Sequence, residues 1–232
     1  SIRSVSKISS FESETSESEA LPASEGKAFV SDSFDDCVWP DPHPLNTATK
    51  LGLCVNDVSR MSSFPNGTQI SRIFFPRSEA DIQDILSEAL RLCVPVCIRG
   101  TKHSMGGHSI AAGGYLLDMK CMKCMVYDEA KDTIKCGPGC IWADLIVFLN
   151  QFGKSPRTMQ SYSSFSVGGS LSVNAHGITT DFCFAESVME FRIAHIVDGS
   201  IQVSRCKRGD ELFRLALGGY GLFGVITELK LK

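Results

Sequence analysis

Three short stretches dense in glycine and serine constrain this chain more than any other feature. The first is Arg99-Gly100-Thr101-Lys102-His103-Ser104-Met105-Gly106-Gly107-His108. The second is Ser166-Val167-Gly168-Gly169-Ser170-Leu171-Ser172-Val173-Asn174-Ala175-His176-Gly177, and the third is Leu217-Gly218-Gly219-Tyr220-Gly221-Leu222-Phe223-Gly224-Val225-Ile226-Thr227. Glycine admits positive φ and lets a backbone approach another group closely. Successive N–H groups in such a loop can form a nest for an anion. The first stretch lacks the Gly-x-Gly-x-x-Gly order and the Walker ending, so taken alone it also reads as a tight surface turn. The second suggests a backbone packed on a flat partner, with a short helix offering N–H groups to a phosphate. The third sets glycines before an apolar strand, which by itself reads as a turn.

The rest of the chain supplies a frame around these stretches. Its 232 residues are 43% hydrophobic and 21% charged, with a formal net charge of −3. That is enough to bury a core, and it excludes fibrous and wholly disordered readings. The balance gives no basic field for nucleic acid or anionic lipid, and no apolar run is long enough to span a bilayer. Residues 1–30, rich in serine and glutamate, read as a flexible arm. Residues 31–72, with Trp39-Pro40-Asp41-Pro42-His43-Pro44, read as an irregular lead-in. From Ile73 a strand, a helix capped by Ser78 with Asp81, and a second strand within 94–98 form a β-α-β unit. Ile82, Ile85, Leu86, Ala89 and Cys93 recur at helical spacing as its buried face, and 92–98 reads as core strand. Further strands are expected over 116–119, 132–136, 187–197, 200–206 and 224–231. Helices are expected over 141–152, ending near Gly153, and over 210–217. Asp198-Gly199 reads as a hairpin turn. The fold class is α+β: a small βαβ subdomain, about 73–120, followed by a larger mixed sheet with helices, 121–232.

The ten cysteines mostly sit in apolar runs, where they behave as small hydrophobes. They read as reduced, buried thiols, which favours a reducing compartment such as the cytoplasm or the mitochondrial matrix. Cys121, Cys124, Cys136 and Cys140 leave open a four-thiolate zinc or redox site, although their apolar patterning favours packing. Trp142 reads as packing, and His43 and His195 as loop and strand residues.

In order and spacing, the three stretches resemble the FAD-binding domain of the vanillyl-alcohol oxidase / p-cresol methylhydroxylase (PCMH-type) flavoproteins. Residues 99–107 are similar to that family's pyrophosphate loop. Gln160-Ser161-Tyr162 with 166–177 is similar to its second flavin segment, and 221–227 to its closing strand. Asn56-Asp57-Val58-Ser59-Arg60 resembles the lead-in of the sugar-lactone oxidase-like branch. The resemblance implies a PCMH-type FAD-binding fold over 73–232 and an FAD-dependent oxidoreductase that takes hydride from an alcohol or sugar-lactone C–H. It implies that Gly100, Thr101, Lys102 and Ser104 donate to the pyrophosphate, with Lys102 alternatively a solvated residue, and that Arg99 and Met105 also belong to the cofactor site. His103 stands where many members carry a covalent bond to the flavin; the alternative is a non-covalent polar neighbour. His108 either contacts FAD or is solvated. Ser161, Ser166, Gly168, Gly169, Ser172, Val173, Asn174, Ala175 and His176 would line the flavin, with His176 either structural or catalytic. Val225 and Ile226 would border the adenine. No cysteine stands near Tyr162 for a second tether, and no metal is expected.

In relatives the substrate domain follows the closing strand, so residues 1–232 are expected to hold none, and no catalytic base is named. A partner chain or a further C-terminal region is expected to supply it. The competing reading is an accessory subunit of a larger complex that keeps the FAD-binding fold.

Overall fold

The computed structural model describes residues 53–60, 67–178 and 182–232. The arm over 1–30, the proline-rich segment around Trp39 and His43, and Cys37 lie outside the described residues. Two short strands, β1 (Leu53–Val55) and β2 (Thr68–Ile70), pair antiparallel within the part expected to be irregular. Three residues each is too short for sequence alternation to register.

The βαβ unit forms as the sequence predicts. Strand β3 (Arg72–Phe74) leads into helix α1 (Glu79–Leu92), which leads into β4 (Val96–Arg99). Ser78 Oγ accepts the N–H of Asp81, and the Asp81 carboxylate accepts the N–H of Ser78, closing a capping box. Ile82, Ile85 and Ala89 are buried. Cys93 is not: it is exposed at φ +53, and as a left-handed C-cap it ends the helix one residue after Leu92. Leu92 is likewise exposed in the last helical turn, so the expected strand over 92–98 begins only at Val96, after Pro95. Strand β5 (Tyr115–Asp118) inserts between its two predecessors, giving the parallel order β3-β5-β4. The sequence predicts this strand over 116–119 but not its place between the other two, because the βαβ crossover leaves room for it.

The larger sheet is antiparallel, in the order β6-β7-β10-β8-β9. Its strands are β6 (Met125–Asp128), β7 (Thr133–Cys136), β8 (Val188–Val197), β9 (Ser200–Lys207) and β10 (Val225–Leu231). Strand β6 carries no signal in the sequence; all four of its residues are half-buried, so it lacks a clear alternation. Asp198 and Gly199, at φ +48 and +73, form the two-residue hairpin between β8 and β9. Helices α2 (Trp142–Asn150), α3 (Val167–Ser172) and α4 (Glu211–Ala216) cover one face. Trp142, Leu145, Leu171, Phe184, Phe191 and Leu229 are buried together there.

Helix α1 binds the two sheets into one body. Its apolar face meets Phe74 and Leu117 of the parallel sheet and Ala194 and Val225 of the antiparallel one. Beside that seam Arg192 donates two hydrogen bonds to the Glu79 carboxylate, at 2.9 and 2.6 Å, and Thr227 Oγ1 donates a third at 2.8 Å. The cleft described next lies where the carboxyl ends of the parallel strands meet α3 and β10. Open sheets commonly bind ligands beyond those strand ends.

Candidate functional site

The three glycine-bearing stretches converge at this place. Gly100 packs so tightly on Ser166 that a Cβ there would lie 2.0 Å from the serine Oγ. The third stretch is stitched to the second by Gly218 N–H on Leu171 O (3.0 Å) and Tyr220 N–H on Ser172 O (2.9 Å). It meets the first where Gly221, at φ +77, sits against Ile98 and where Tyr220 stands edge-on to His108. Between them lies a cleft of about 360 Å³.

Most of the residues expected at a site line this cleft. From the first stretch come Arg99, Gly100, Thr101, Lys102, His103, Ser104, Met105 and His108. From the second come Ser166, Gly168, Gly169, Ser172 and Val173, and from β10 comes Ile226. Ser161, Asn174, Ala175, His176 and Val225 stand outside the wall. Val225 alternates away from Ile226 and packs under α1. Asn174 Oδ1 accepts the N–H of Ala185, and Ala175 O accepts the N–H of Phe184, so both close the turn after α3. His176 is exposed, with Nδ1 against Gly177 O at 2.9 Å. Ser161 is exposed.

Several wall residues were not among the candidate site residues read from sequence. Pro138 belongs to a Gly137-Pro138-Gly139 turn after β7, and Gly168 rests directly on it. Ile98, Met119 and Phe165 give an apolar lining. Gln160 and Ser170 are joined to Trp142, whose indole Nε1–H donates to Ser170 Oγ at 3.0 Å; that oxygen lies 2.9 Å from Gln160 Oε1. Trp142 therefore packs, as expected, and also anchors the cleft wall. His195, on β8, pairs its Nε2 with Ser204 Oγ at 2.8 Å, away from the site.

The polar groups divide into spent and available. Arg99 is held by Asp118, with nitrogen–oxygen distances of 3.0 and 2.9 Å, so its charge is largely neutralised at the end of β4. The helix N-terminus expected to offer N–H groups does not. Val167 N–H donates to Cys140 O, Gly168 N–H to Pro138 O, and Gly169 N–H to Ser166 Oγ. The free donors lie in the first stretch instead. Among the described residues, the N–H groups of Thr101 through Met105 make no hydrogen bond, and Lys102 has no ion-pair partner. Among the described residues, no carboxylate side chain lines the cleft. Unpaired successive N–H groups, a free ammonium and no opposing anion suit a pyrophosphate.

His103 stands at the mouth, its ring 4.3 Å from Phe165 and its Nε2 3.0 Å from Ser164 Oγ. Partial burial pushes its imidazole below the ordinary value, which favours the neutral ring. Behind the loop, Asp57 accepts the Gly107 N–H at 2.6 Å. Burial pushes this carboxyl up, but hydrogen bonds from the Ser59 hydroxyl and from the N–H groups of Gly107, Ser59 and Arg60 outweigh it, leaving it below the usual range.

The cysteine cluster forms no such site. Cys124 is disulfide-bonded, which removes it from any four-thiolate set. It also departs from the expectation of reduced thiols, while Cys136 and Cys140 are free and fully buried, with burial pushing the Cys140 thiol up to about 12. No group of His, Cys, Asp and Glu among the described residues could hold a metal. No helix among them is long and apolar enough to cross a membrane.

A parallel βαβ lobe clasped to an antiparallel sheet, with an anion nest and an apolar slot at their junction, defines a nucleotide-cofactor-binding α+β domain. A family model described as FAD binding domain matches residues 70–204. The chain belongs to that family, its fold is of the PCMH type, and its cofactor is FAD. Among curated relatives, cytokinin dehydrogenase 2 of Arabidopsis thaliana is 29% identical over 68% of this chain and 32% of its own length. Cytokinin dehydrogenase 7 of Oryza sativa subsp. japonica is 28% identical over 82% of this chain and 38% of its own. A cholesterol oxidase structure from Brevibacterium sterolicum superposes with a TM-score of 0.68 at 16% identity, over 78% of this chain and 36% of that one. A glycopeptide hexose oxidase structure gives 0.65 at 18% identity, over 72% and 35%. The chain thus spans about a third of the length of the relatives it matches.

Proposed function

We propose that this chain is the FAD-holding part of an oxidoreductase in which a substrate C–H gives hydride to the flavin. The observation that carries the reading is the junction of three separated small-residue stretches around one carboxylate-free cleft with unpaired N–H groups along Thr101–Met105. FAD, when bound, supplies a two-electron acceptor ring, and the protein supplies binding, orientation and electrostatics.

Thr101 to Met105 would hold the pyrophosphate through their N–H groups, with Lys102 as the compensating cation. Gly168 and Gly169 expose backbone where a larger side chain would stand in the slot. Gly168 has no room for one, since a Cβ would meet Pro138 at 2.6 Å. Ile226 borders the other end of the cleft. His103, biased toward the neutral ring and fixed by Ser164 and Phe165, would bond the flavin's ring methyl through a ring nitrogen. The C–N bond would replace a methyl C–H, the proton leaving to solvent and the electron pair passing into the flavin, from which the oxidoreductase's electron acceptor would remove it. A neutral imidazole has the free lone pair that such a bond needs.

The substrate would be an alcohol or a sugar lactone, as the resemblance to the sugar-lactone branch suggests. Two structural neighbours are an oxidase of cholesterol and one of a glycopeptide hexose, while the curated relatives are named for cytokinin. The base that removes the substrate proton would come from a substrate-binding region or partner chain outside residues 1–232. The test is to purify the protein and record its flavin spectrum. Yellow colour that stays with the acid-precipitated chain is expected, with bleaching by an alcohol, lactone or cytokinin once the substrate-binding part is present. A protein that takes up no flavin would sink the reading. Bound flavin that no such substrate reduces would favour the accessory-subunit alternative.

A further inference from the structure

The pyrophosphate loop is held from outside by a turn that lies N-terminal to the family match, at residues 57–59, whereas the match begins at residue 70. Asp57 is buried at 7% exposure and points its carboxylate at the loop. One oxygen accepts the Gly107 N–H at 2.6 Å, and the other accepts the Ser59 N–H at 2.9 Å. Ser59 Oγ in turn accepts the Gly106 N–H at 3.2 Å. Both glycines sit at positive φ, +97 and +81. Their backbone has many alternatives in the absence of a restraint, because glycine meets no steric penalty on leaving this conformation.

The two restraints act at the point where the loop turns back, directly after the unpaired N–H groups of Thr101–Met105. The same segment is one that sequence resemblance singles out as a lead-in, without assigning it a task. From these observations we infer that Asp57, with Ser59, is a positioning residue for FAD. It latches the Gly106–Gly107 end of the loop so that the preceding N–H groups point together at the pyrophosphate. Neither Asp57 nor Ser59 lines the cleft, and the inference rests on the FAD reading proposed above. A charged hydrogen bond to a buried N–H is among the stronger ones in a protein. A single such contact can therefore set how well the nest is pre-formed, and pre-formation is worth affinity.

The experiment uses the flavin-free chain from riboflavin-starved cells, with Asp57→Ala, Asp57→Asn and Ser59→Ala beside the wild type. Amide hydrogen exchange at Gly106 and Gly107 is measured first, without ligand. FAD binding, and ADP binding as a competitor that shares the pyrophosphate, are measured next. We expect faster exchange at both glycines in Asp57→Ala and about a tenfold loss of affinity for FAD and ADP alike. Asp57→Asn, which keeps an acceptor, should recover most of the loss, and Ser59→Ala should speed exchange chiefly at Gly106. Unchanged exchange in Asp57→Ala would overturn the latch. Faster exchange with unchanged affinity, or a loss for FAD that ADP does not share, would overturn its role at the pyrophosphate. A wild-type chain that binds neither FAD nor ADP would instead sink the flavin reading, and the cofactor role of Asp57 with it. Should Asp57→Ala not fold, Asp57→Asn and Ser59→Ala carry the same comparison.

Discussion

Gly100 and His103 show how single residues define this site. A methyl group at Gly100 would collide with Ser166 Oγ at 2.0 Å, and Ser166 cannot yield without losing its cap on α3. Gly100→Ala should destabilise the chain by about 1–3 kcal/mol and weaken FAD uptake, measured by denaturant unfolding and flavin titration. Ser166→Gly/Gly100→Ala together should recover part of that loss. His103 is tuned by its surroundings. Partial burial disfavours the imidazolium, so the ring should titrate below the ordinary histidine value by NMR. The sign for stability follows from linkage. A histidine depressed in the fold contributes fully above its unfolded value and loses that contribution as pH falls through the folded one. Asp57 has the same pH direction by the other route. Its carboxylate is stabilised in the fold, so its contribution holds above the usual carboxylate range and is lost as acid protonates it at its lowered value. Acidification through the range of both groups should therefore loosen the cofactor loop. His103→Ala should abolish any flavin that survives acid precipitation while leaving non-covalent uptake in place.

At the scale of elements, the legible parts are those with a long period or a strong cap. Helix α1 could be read from Ser78, Asp81 and its apolar spacing, and the capping box is present as read. Ser78→Ala should cost about 1 kcal/mol in unfolding free energy. The β8–β9 hairpin could be read from Asp198-Gly199, since both residues take positive φ there. What sequence did not yield is the place of β5 between β3 and β4, which depends on partners distant in the chain. It also did not yield β1, β2 and β6, which pair with near neighbours but are too short or too evenly half-buried to show an alternation. The cleft was legible because glycine and serine mark backbone that must come close to something. Its limits were less so. Asn174, Ala175 and His176 continue the second stretch but spend their groups closing a turn. The assignment of phosphate donors to α3 failed for a related reason: Cys140 and Pro138 carbonyls, far away in sequence, occupy its first N–H groups.

For the whole molecule, the decisive arrangement is α1 packed on both sheets, with Glu79, Arg192 and Thr227 tied beside it. This seam fixes the first stretch, which follows the parallel sheet, against the second and third, which belong to the antiparallel one. Leu171 is fully buried beneath α3 in the larger core. Leu171→Ala should cost about 2–5 kcal/mol and loosen the second stretch with it, read as a drop in unfolding midpoint that bound FAD partly restores. The central claim is that one FAD lies across all three stretches with its pyrophosphate on Thr101–Met105. Adding FAD to the isotope-labelled chain and following backbone amide signals tests it most directly. The account predicts that one equivalent shifts the amides of 100–105, 168–173 and 220–226 together, the largest changes falling at Thr101–Met105. Shifts gathered elsewhere on the molecule, or none with excess FAD, would contradict it.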